Sequence, residues 1–393
     1  MTLKNIAVFF GGRSAEHEIS VITALQLIEA LDVTKFNPIP VYIDHKGRWY
    51  SGEALLKREF YKSLPESTSE VAEVVLLPIP RTGGLTILKD SKGVFANKKI
   101  IPVDLCITAF HGQFGEDGCM QGLFELADLP YTGCAVPASA VSMNKFICKS
   151  AVSAHGIPVL PGALVQKPEA ILDMEMACKS VLETSGLTKF PLFVKPCNLG
   201  SSIGIGVAKD RAGLSAALAN VFKYDVAALV EPCITNRMEI NISVLDGSPP
   251  KASVVEIPVA SLEALTYEDK YMRSGGKKTG RSSGMASLTR KIDPSDLDPK
   301  YKEAVTNYAL KSFKLLECGG VVRFDFMVNL DTGDLFFNEL NTIPGSFAFY
   351  LWAKTKPQVL YTEILNQIIE QAEIIYQRRA SLQRDTGFRA LMQ

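Results

Sequence analysis

The feature that most limits the possible folds of this 393-residue chain is its opening, where a strand pattern passes through a glycine pair into a helix pattern. Residues 5–10 form the strand pattern, and residues 19–31 carry apolar side chains at helical spacing. Further strands are predicted at 37–43 and 103–110. Strands that alternate with helices predict an α/β fold with a mostly parallel sheet, whose ligand crevice lies at the carboxyl ends of the strands.

The remaining patterns predict two more lobes, so the protein is expected to be three-lobed, with units at 1–140, 141–235 and 236–393. A hairpin is predicted near 84–99, and a glycine- and serine-rich loop at 198–206. Helices are predicted at 137–156, 168–186, 300–316 and 358–375, and strands at 190–195, 205–208, 227–230, 238–245, 251–257, 321–329 and 335–340.

Two polar segments lack apolar periodicity. Residues 265–288 are rich in glycine, lysine and arginine, and a loop of this length inside a compact domain is typical of a lid or of disorder. Residues 378–393 contain four arginines and are expected to form a solvated tail.

Composition narrows the functional classes. Lys+Arg and Asp+Glu number 42 each, so the surface as a whole offers no field for a polyanion, and nucleic acid is not an expected partner. No stretch approaches the ~20 apolar residues that span a bilayer, and the N-terminus lacks a signal-peptide pattern. The eight cysteines include no CxxC pair and predict no disulfide framework. A cytoplasmic protein without membrane contact is therefore expected.

Polar side chains alternate with apolar ones along the two predicted strands at 321–329 and 335–340. Period-two alternation places Arg323 and Asp325 on one face, and Glu339 and Asn341 on one face. The turn between the strands brings these side chains together, and carboxylate and amide oxygens are ligands that suit Mg²⁺. The alternative is a surface hairpin with paired charges, but the apolar partners predict that the opposite face is buried.

The loop at 198–206 is a candidate phosphate site, because glycines and serines let backbone N–H groups approach phosphate oxygens. Lys145 and Lys195 can supply positive charge beside it. The alternative is a flexible turn, and the other common phosphate motifs are absent.

Residues 200–204 also fit the G-x-S-x-G pattern of serine hydrolases, but that motif needs a following helix and a later histidine, and the chain offers neither.

Charged residues near the first predicted crevice are ambiguous on local grounds. Glu16 follows the glycine turn and could hold an ammonium group, yet an acidic residue in the first turn of a helix also complements its dipole. His111, Glu116 and Asp117 could equally be ordinary loop residues. For all four, the residues alone favour the structural interpretation.

Taken in order, six segments resemble the D-alanine–D-alanine ligases, a family of the ATP-grasp superfamily. The segments are FFGGRSAEHEIS (9–20), AFHGQFGEDGCMQG (109–122), VSMNKFICK (141–149), FVKPCNLGSSIGIG (193–206), TYEDKY (266–271) and RFDFMVNLDTGDLFFNELNTIPG (323–345). Six segments in one register are far more specific than any single motif. The resemblance implies an ATP-grasp fold with an N-terminal parallel-sheet domain and ATP-dependent ligation of two D-alanines through an acyl-phosphate, for peptidoglycan precursor synthesis.

The resemblance also implies which residues bind the cofactors. It implies ATP, whose phosphates, adenine and ribose would be contacted by Lys145, Lys195, Ser202, Glu231, Glu239 and Lys270. It implies two Mg²⁺ ions, or Mn²⁺ in their place, held by Asp325, Glu339 and Asn341.

The substrate residues follow in the same way. Glu16 would bind the ammonium group of the first D-alanine in a hydrogen-bonded triad with Ser201 and Tyr271. His111 would lie near that substrate, and Arg323 with the backbone near Gly345 would stabilise the oxyanion. Segment 265–288 resembles the family's lid, and a homodimer is implied.

One departure concerns the second substrate. Relatives place a serine near position 350 to bind its carboxylate, whereas this chain has Tyr350, with Ser346 four residues earlier. Either hydroxyl could substitute, so D-serine, D-lactate or an L-amino acid stays an alternative second substrate. A nucleotide-binding protein without activity is the rival from another class, and retention of Asp325, Glu339 and Asn341 together argues against it.

Overall fold

The computed structural model describes residues 3–62, 69–88, 99–258, 290–383 and 385–387. They form three β-sheets with helices packed against them. Within these ranges no helix has the combined length and apolar character needed to cross a membrane.

The first sheet has seven strands in the order β6-β5-β4-β3-β2-β1-β7. Its strands are β1 (Lys4–Gly11), β2 (Phe36–Ile43), β3 (Trp49–Ser51), β4 (Ala72–Leu76), β5 (Gly84–Ile87), β6 (Ile100–Pro102) and β7 (Leu105–Thr108). Only β2, β1 and β7 are parallel, and the other pairs are antiparallel. The sheet is therefore mixed, and the hairpin predicted near 84–99 corresponds to β5 and β6.

The second and third sheets are antiparallel, with orders β10-β9-β11-β8 and β14-β13-β12-β15-β16. The strands of the second are β8 (Ala163–Gln166), β9 (Leu192–Pro196), β10 (Gly206–Ala208) and β11 (Ala227–Pro232). Those of the third are β12 (Arg237–Leu245), β13 (Lys251–Pro258), β14 (Arg290–Ile292), β15 (Val321–Asn329) and β16 (Leu335–Asn341).

Eleven α-helices are described. They are α1 (His17–Ala30), α2 (Arg58–Lys62), α3 (Cys119–Leu126), α4 (Val136–Met143), α5 (Lys145–Ser153), α6 (Lys167–Leu172), α7 (Met174–Glu183), α8 (Arg211–Val221), α9 (Pro299–Leu315), α10 (Phe349–Trp352) and α11 (Tyr361–Ala380).

Two of the predicted helices are each divided into two. Asn144 separates α4 from α5: its backbone is extended, and its side chain accepts a hydrogen bond from Ile147 N at 3.0 Å. Asp173 separates α6 from α7 and accepts from Met176 N at 2.9 Å. Both side chains satisfy N–H groups at a helix start, so a new helix begins where a continuous one was predicted.

The prediction of a solvated tail from residue 378 is wrong for its first residues. Helix α11 continues through Ala380, and its apolar face packs into the core of the first sheet. The Arg379 guanidinium forms an ion pair with Glu125 and lies 5.3 Å from the ring centroid of Tyr131. These contacts explain why the helix extends further than its apolar pattern indicates.

Candidate active site

One face of the third sheet carries a row of polar side chains on four neighbouring strands. Asn241 on β12 is opposite both Glu256 on β13 and Asp325 on β15, and Asp325 is opposite Glu339 on β16. Directly opposed residues project from the same face of a sheet. At about 4.8 Å per strand, this polar row is roughly 14 Å long.

Arg323 and Asp325 form a bidentate ion pair in the middle of this face. The Arg323 Nε and Nη2 atoms donate to the two Asp325 carboxylate oxygens at 2.7 and 2.8 Å, and Asn341 Nδ2 donates to Asp325 Oδ2 at 3.1 Å. Phe324 and Leu340 point to the opposite face and are buried. The convergence predicted from strand alternation is confirmed. Burial disfavours the Arg323 cation, but Asp325 outweighs it and holds the pKa of the guanidinium above its ordinary value.

Lys145 connects this row to the glycine loop. Its Nζ lies 3.3 Å from Glu339 Oε2 and donates to the Leu199 carbonyl at 2.6 Å. Helix α5 begins at Lys145 because Asn144 caps it, and Asn144 Nδ2 also donates to Asn198 Oδ1 at 2.8 Å. The cap that divides the predicted helix therefore also fixes the lysine beside the loop.

A buried carboxylate between two lysines lies on the other side of the loop. Glu231 forms ion pairs with Lys195, at 2.8 Å, and with Lys149, one on each carboxylate oxygen. Lys195 Nζ also donates to Asn338 Oδ1 at 3.1 Å. Burial opposes the charge on Lys195, but Glu231 and Glu339 keep the pKa of this lysine above its ordinary value.

Lys149 was not identified from the sequence. It is buried, and burial lowers the pKa of Lys149 to about 8 although Glu231 acts in the opposite direction. A lysine four residues after Lys145 falls on the same face of α5, which was the available signal. Lysines pair with both Glu231 oxygens, so this carboxylate orients two cations, and the adenine contact implied for it stays a prediction.

Two other residues implied for ATP binding lie at the margins of this region. Glu239 on β12 is half-exposed and lies 3.2 Å from Arg237 Nε. Ser202 is half-buried in the glycine loop, with a φ of 60°. No hydrogen bond or ion pair joins either of them to Lys145 or Lys195 in the part of the chain that the structure describes.

The glycine loop meets the first lobe through Glu16 and Ser201. Ser201 Oγ donates to Glu16 Oε1, joining residues 185 positions apart. Glycines allow this approach: a Cβ on Gly112 would lie 2.4 Å from Ser14 Oγ, and the Gly112 φ is +80°. A Cβ on Gly200 would lie 3.1 Å from Glu16 Oε2. The structure thus brings together the two described members of the implied triad.

His111 and Ser346 both contact helix α1 at Thr23. His111 Nε2 is 2.8 Å from Thr23 Oγ1, which also accepts from Ser346 N at 3.3 Å. Burial and the nearby Arg323 cation lower the pKa of His111 to about 4, so this imidazole is neutral near pH 7. Ser346 Oγ donates to Gln26 Oε1 and is buried, so its hydroxyl serves the contact with α1.

Glu116, for which the local sequence favours a loop charge, instead joins two segments beside the site. Its carboxylate accepts from Gly112 N at 2.7 Å, from Ile343 N at 3.0 Å and from Thr342 Oγ1 at 3.2 Å. It therefore fastens the loop after β7 to the chain after β16. Burial, and then the Glu16 carboxylate, raise the pKa of Glu116 to about 8. Its neighbour Asp117 caps local N–H groups, as expected of a loop residue.

This raised pKa predicts a pH-dependent stability. A carboxyl group whose pKa rises from 4.5 to about 8 on folding keeps its proton in the folded chain after the unfolded chain has lost it. The free energy of unfolding should therefore fall as the pH rises from about 5 to 8. In Glu116→Gln, whose side chain does not titrate, the melting temperature should fall less steeply between pH 6 and 8.5. If the melting temperature of this variant fell as steeply with pH as that of wild type, Glu116 would not be the cause of the pH-dependent stability.

Four further site predictions concern residues 345–350 and the lid. Tyr350 OH donates to Glu256 Oε1 at 3.1 Å, so this tyrosine lies at the β13 end of the polar row. Gly345 begins a buried turn in which the next three residues have left-handed φ values of 50°, 55° and 49°. Lys270 and Tyr271, with the segment 265–288, lie outside the described residues.

The donor set fits a hard divalent cation. Asp325 and Glu339 supply carboxylates on adjacent strands, and Asn341 supplies an amide oxygen. Each carboxylate is neutralised by a protein cation, Arg323 or Lys145, which is the charge compensation that acidic metal ligands need when no ion is bound.

The fold and this face define a ligase of the ATP-grasp type. Family models described as the N-terminus and the C-terminus of D-ala D-ala ligase match residues 5–134 and 151–370. The chain belongs to the D-alanine–D-alanine ligase family.

Relatives cover almost the whole chain. It is 35% identical to D-alanine--D-alanine ligase A of Bradyrhizobium diazoefficiens, over 96% of this chain and 97% of that one. It is 34% identical to the D-alanine--D-alanine ligase of Thermosipho africanus, over 88% of each.

Solved structures agree with these matches. The D-alanine-D-alanine ligase from Coxiella burnetii has a TM-score of 0.75 and 27% identity, over 97% of each chain. The VanG D-Ala:D-Ser ligase from Enterococcus faecalis has a TM-score of 0.74 and 28% identity, over 94% of this chain and all of that one.

Proposed function

We propose that this protein joins two D-alanines to D-alanyl-D-alanine at the expense of ATP, through an acyl-phosphate, for peptidoglycan precursor synthesis. The observation that carries the proposal is the convergence of Arg323, Asp325, Glu339 and Asn341 on one sheet face, facing Lys145, in a chain of this ligase family. A carboxylate is a poor electrophile, so it must be activated before an amine can attack it.

In the first step, a carboxylate oxygen of the first D-alanine attacks the γ-phosphorus of ATP, and ADP leaves. Lys145 and Lys195 supply positive charge to the phosphates, and Glu231 with Lys149 holds Lys195 in place. Mg²⁺ held by Asp325, Glu339 and Asn341 would neutralise phosphate charge during this transfer. Glu16, fixed by Ser201, is positioned to bind the substrate ammonium group.

In the second step, the amine of the second D-alanine attacks the acyl carbon. The C–N bond forms, an oxyanion develops, the bond from carbon to the phosphate oxygen breaks, and the amine loses a proton. The Arg323 guanidinium, held rigidly by Asp325, and the backbone at Gly345 would stabilise the oxyanion. His111 lies close to Arg323 but is neutral, so it does not compete with this cation for the developing charge.

Three further predictions from the sequence accompany the proposed ligase function. The division into lobes at residues 140 and 235, a homodimer and a cytoplasmic location remain predictions. The dimer can be tested by light scattering of the purified protein.

Product analysis tests the proposed reaction. With ATP, Mg²⁺ and equal D-alanine, D-serine and D-lactate, D-alanyl-D-alanine should dominate between pH 7 and 9. Because an amine must lose its proton to attack, its yield relative to the ester should rise with pH. Mass spectrometry separates the products, and phosphate release without an amino acid gives the background.

Three outcomes would change the proposal. Predominant D-alanyl-D-lactate would exclude an amine-selective site. Predominant D-alanyl-D-serine would favour the second candidate function, which the match to the VanG D-Ala:D-Ser ligase supports. Absence of any dipeptide would contradict the ligase assignment.

A further inference from the structure

Tyr350 stands where relatives are expected to have a serine, and the structure places it in a buried cluster. Its ring packs under the Arg290 guanidinium, 4.1 Å from the ring centroid. Its hydroxyl donates to Glu256 Oε1 at 3.1 Å. Arg290 begins β14, the strand at one edge of the third sheet, which pairs with β13. None of these contacts follows from the sequence spacing, since the three residues are far apart in the chain.

Glu256 organises this cluster. Its Oε1 accepts from Tyr350 OH and from Asn241 Nδ2, both at 3.1 Å, and its Oε2 pairs with Arg290 Nη1 at 2.7 Å. The side chains of Arg290 and Glu256 are only 7% and 3% exposed, so the pair is not an ordinary surface ion pair. Forming a buried ion pair costs desolvation free energy, and well-packed apolar residues often stabilise a fold as much. Stability alone therefore does not explain this pair.

The cluster adjoins the reacting centre of the proposed function. Asn241 separates Glu256 from Asp325 in the polar row, which puts the two carboxylate positions about 10 Å apart at the usual strand spacing. Tyr350 also lies within electrostatic range of Arg323: burial and Glu256 raise the pKa of Tyr350, and Arg323 and Arg290 oppose them. The cluster thus lies on the side of Arg323 away from the glycine loop.

We propose that Arg290, held by Glu256 and Tyr350, binds the carboxylate of the second substrate and so restricts that substrate to an acceptor that carries a carboxylate. This inference rests on the proposed ligase function and assigns to Arg290 the part that relatives are expected to give to a serine. Arg290 is a binding residue, and Glu256 and Tyr350 are positioning residues.

The chemistry of the three groups supports this assignment. A guanidinium stacked on an aromatic ring donates only in its own plane, so the ring of Tyr350 and the pairing with Glu256 together fix the orientation of the Arg290 guanidinium. The three carboxylates of the polar row, Glu256, Asp325 and Glu339, are each paired with a protein cation, so the row as a whole does not repel an anionic acceptor. A guanidinium of fixed orientation at the end of that row would orient the acceptor amine toward Arg323.

The test compares acceptors with and without a carboxylate. The enzyme is given D-alanine as donor, together with D-alanine or D-alaninamide as acceptor, and the two dipeptide products are separated by mass spectrometry. Wild type should prefer D-alanine over D-alaninamide by about 100-fold or more in kcat/KM, since a site built to bind a polar group rejects an analogue that lacks it. In Arg290→Met the preference should fall below about tenfold, while the KM for ATP changes less than threefold.

Two variants separate binding from folding. Arg290→Met leaves the Glu256 carboxylate buried without this cation, so the double variant Arg290→Met/Glu256→Gln, which removes both charges, is measured beside it. Arg48→Met is the matched control, because Arg48 also pairs with a carboxylate (Asp44, 3.1 Å) and lies over a tyrosine ring (Tyr50, 5.7 Å), but in the first sheet. The control should retain the wild-type preference.

The outcomes are distinct. Folded Arg290 variants that keep the wild-type preference for D-alanine would overturn the inference, and so would a wild type that uses D-alaninamide equally well. Failure of wild type to make D-alanyl-D-alanine would instead contradict the proposed function.

Discussion

Replacing Glu339 by glutamine should lower the rate of dipeptide formation by about a thousandfold. Glu339 lies beside Asp325 on the adjacent strand and pairs with Lys145, so it joins the proposed metal site to the proposed phosphate site. Glutamine keeps the size of the side chain and removes the charge. Loss of one preorganised electrostatic contact in an active site commonly costs 10²–10³ in rate, and a metal ligand is expected at the upper end.

The measurement is phosphate release and dipeptide formation across a range of Mg²⁺ concentrations. If Glu339 holds metal, the variant should need more Mg²⁺ for half-maximal rate as well as losing turnover. Glu303→Gln is the control, since Glu303 is exposed on α9, and it should behave as wild type. Turnover of the Glu339 variant within tenfold of wild type at saturating Mg²⁺ would exclude this residue as a ligand.

Glu339 is a better test than Asp325 for a structural reason. Alanine at Asp325 would leave Arg323 buried without its bidentate partner, and breaking a buried ion pair from one side costs about 3–5 kcal/mol of stability. Loss of activity in Asp325→Ala would then mix loss of a ligand with loss of folding. The side chain of Glu339 is 27% exposed and its partner Lys145 has a second contact, so its replacement disturbs the fold less.

The part of the site on β15 and β16 could be predicted because its information is local. Alternation fixes which side chains share a face, and the turn at 331–334 fixes which two strands pair. Arg323, Asp325, Glu339 and Asn341 therefore follow from short-range rules alone.

The contacts that complete the site depend on segments distant in the chain. Lys149 meets Glu231 across 82 positions, and Glu116 meets Ile343 across 227. No local pattern distinguishes a loop carboxylate that will be buried from one that stays in solvent, because burial depends on how the lobes pack. For the same reason the sequence offers Tyr350 as a candidate but not its contacts with Arg290 and Glu256.

Some errors in the fold prediction were avoidable. Asn144 and Asp173 are residues that favour helix starts, and each stands inside a pattern whose apolar periodicity predicts one helix. Apolar periodicity continued across both positions, and it outweighed the cap signal. The mixed first sheet was less accessible, since short strands such as β3 and β6 have three residues each.

The second large effect is expected at Arg323, where lysine should lower kcat by about a hundredfold or more with little change in the KM for ATP. Lysine keeps the positive charge but cannot donate in the bidentate geometry that binds Arg323 to both Asp325 oxygens, so the cation loses its fixed position. Preorganised donors act on charge that develops in the transition state, which is why kcat should fall while ground-state binding persists.

Thermal melting checks folding, and Arg211→Lys, at an exposed ion pair with Glu175, is the control. An Arg323 that only anchors Asp325 would predict a different result: excess Mg²⁺ would restore most of the rate in Arg323→Lys, because the metal would itself order the carboxylate. Persistence of the defect at saturating Mg²⁺ is therefore the outcome expected if the guanidinium acts on the oxyanion.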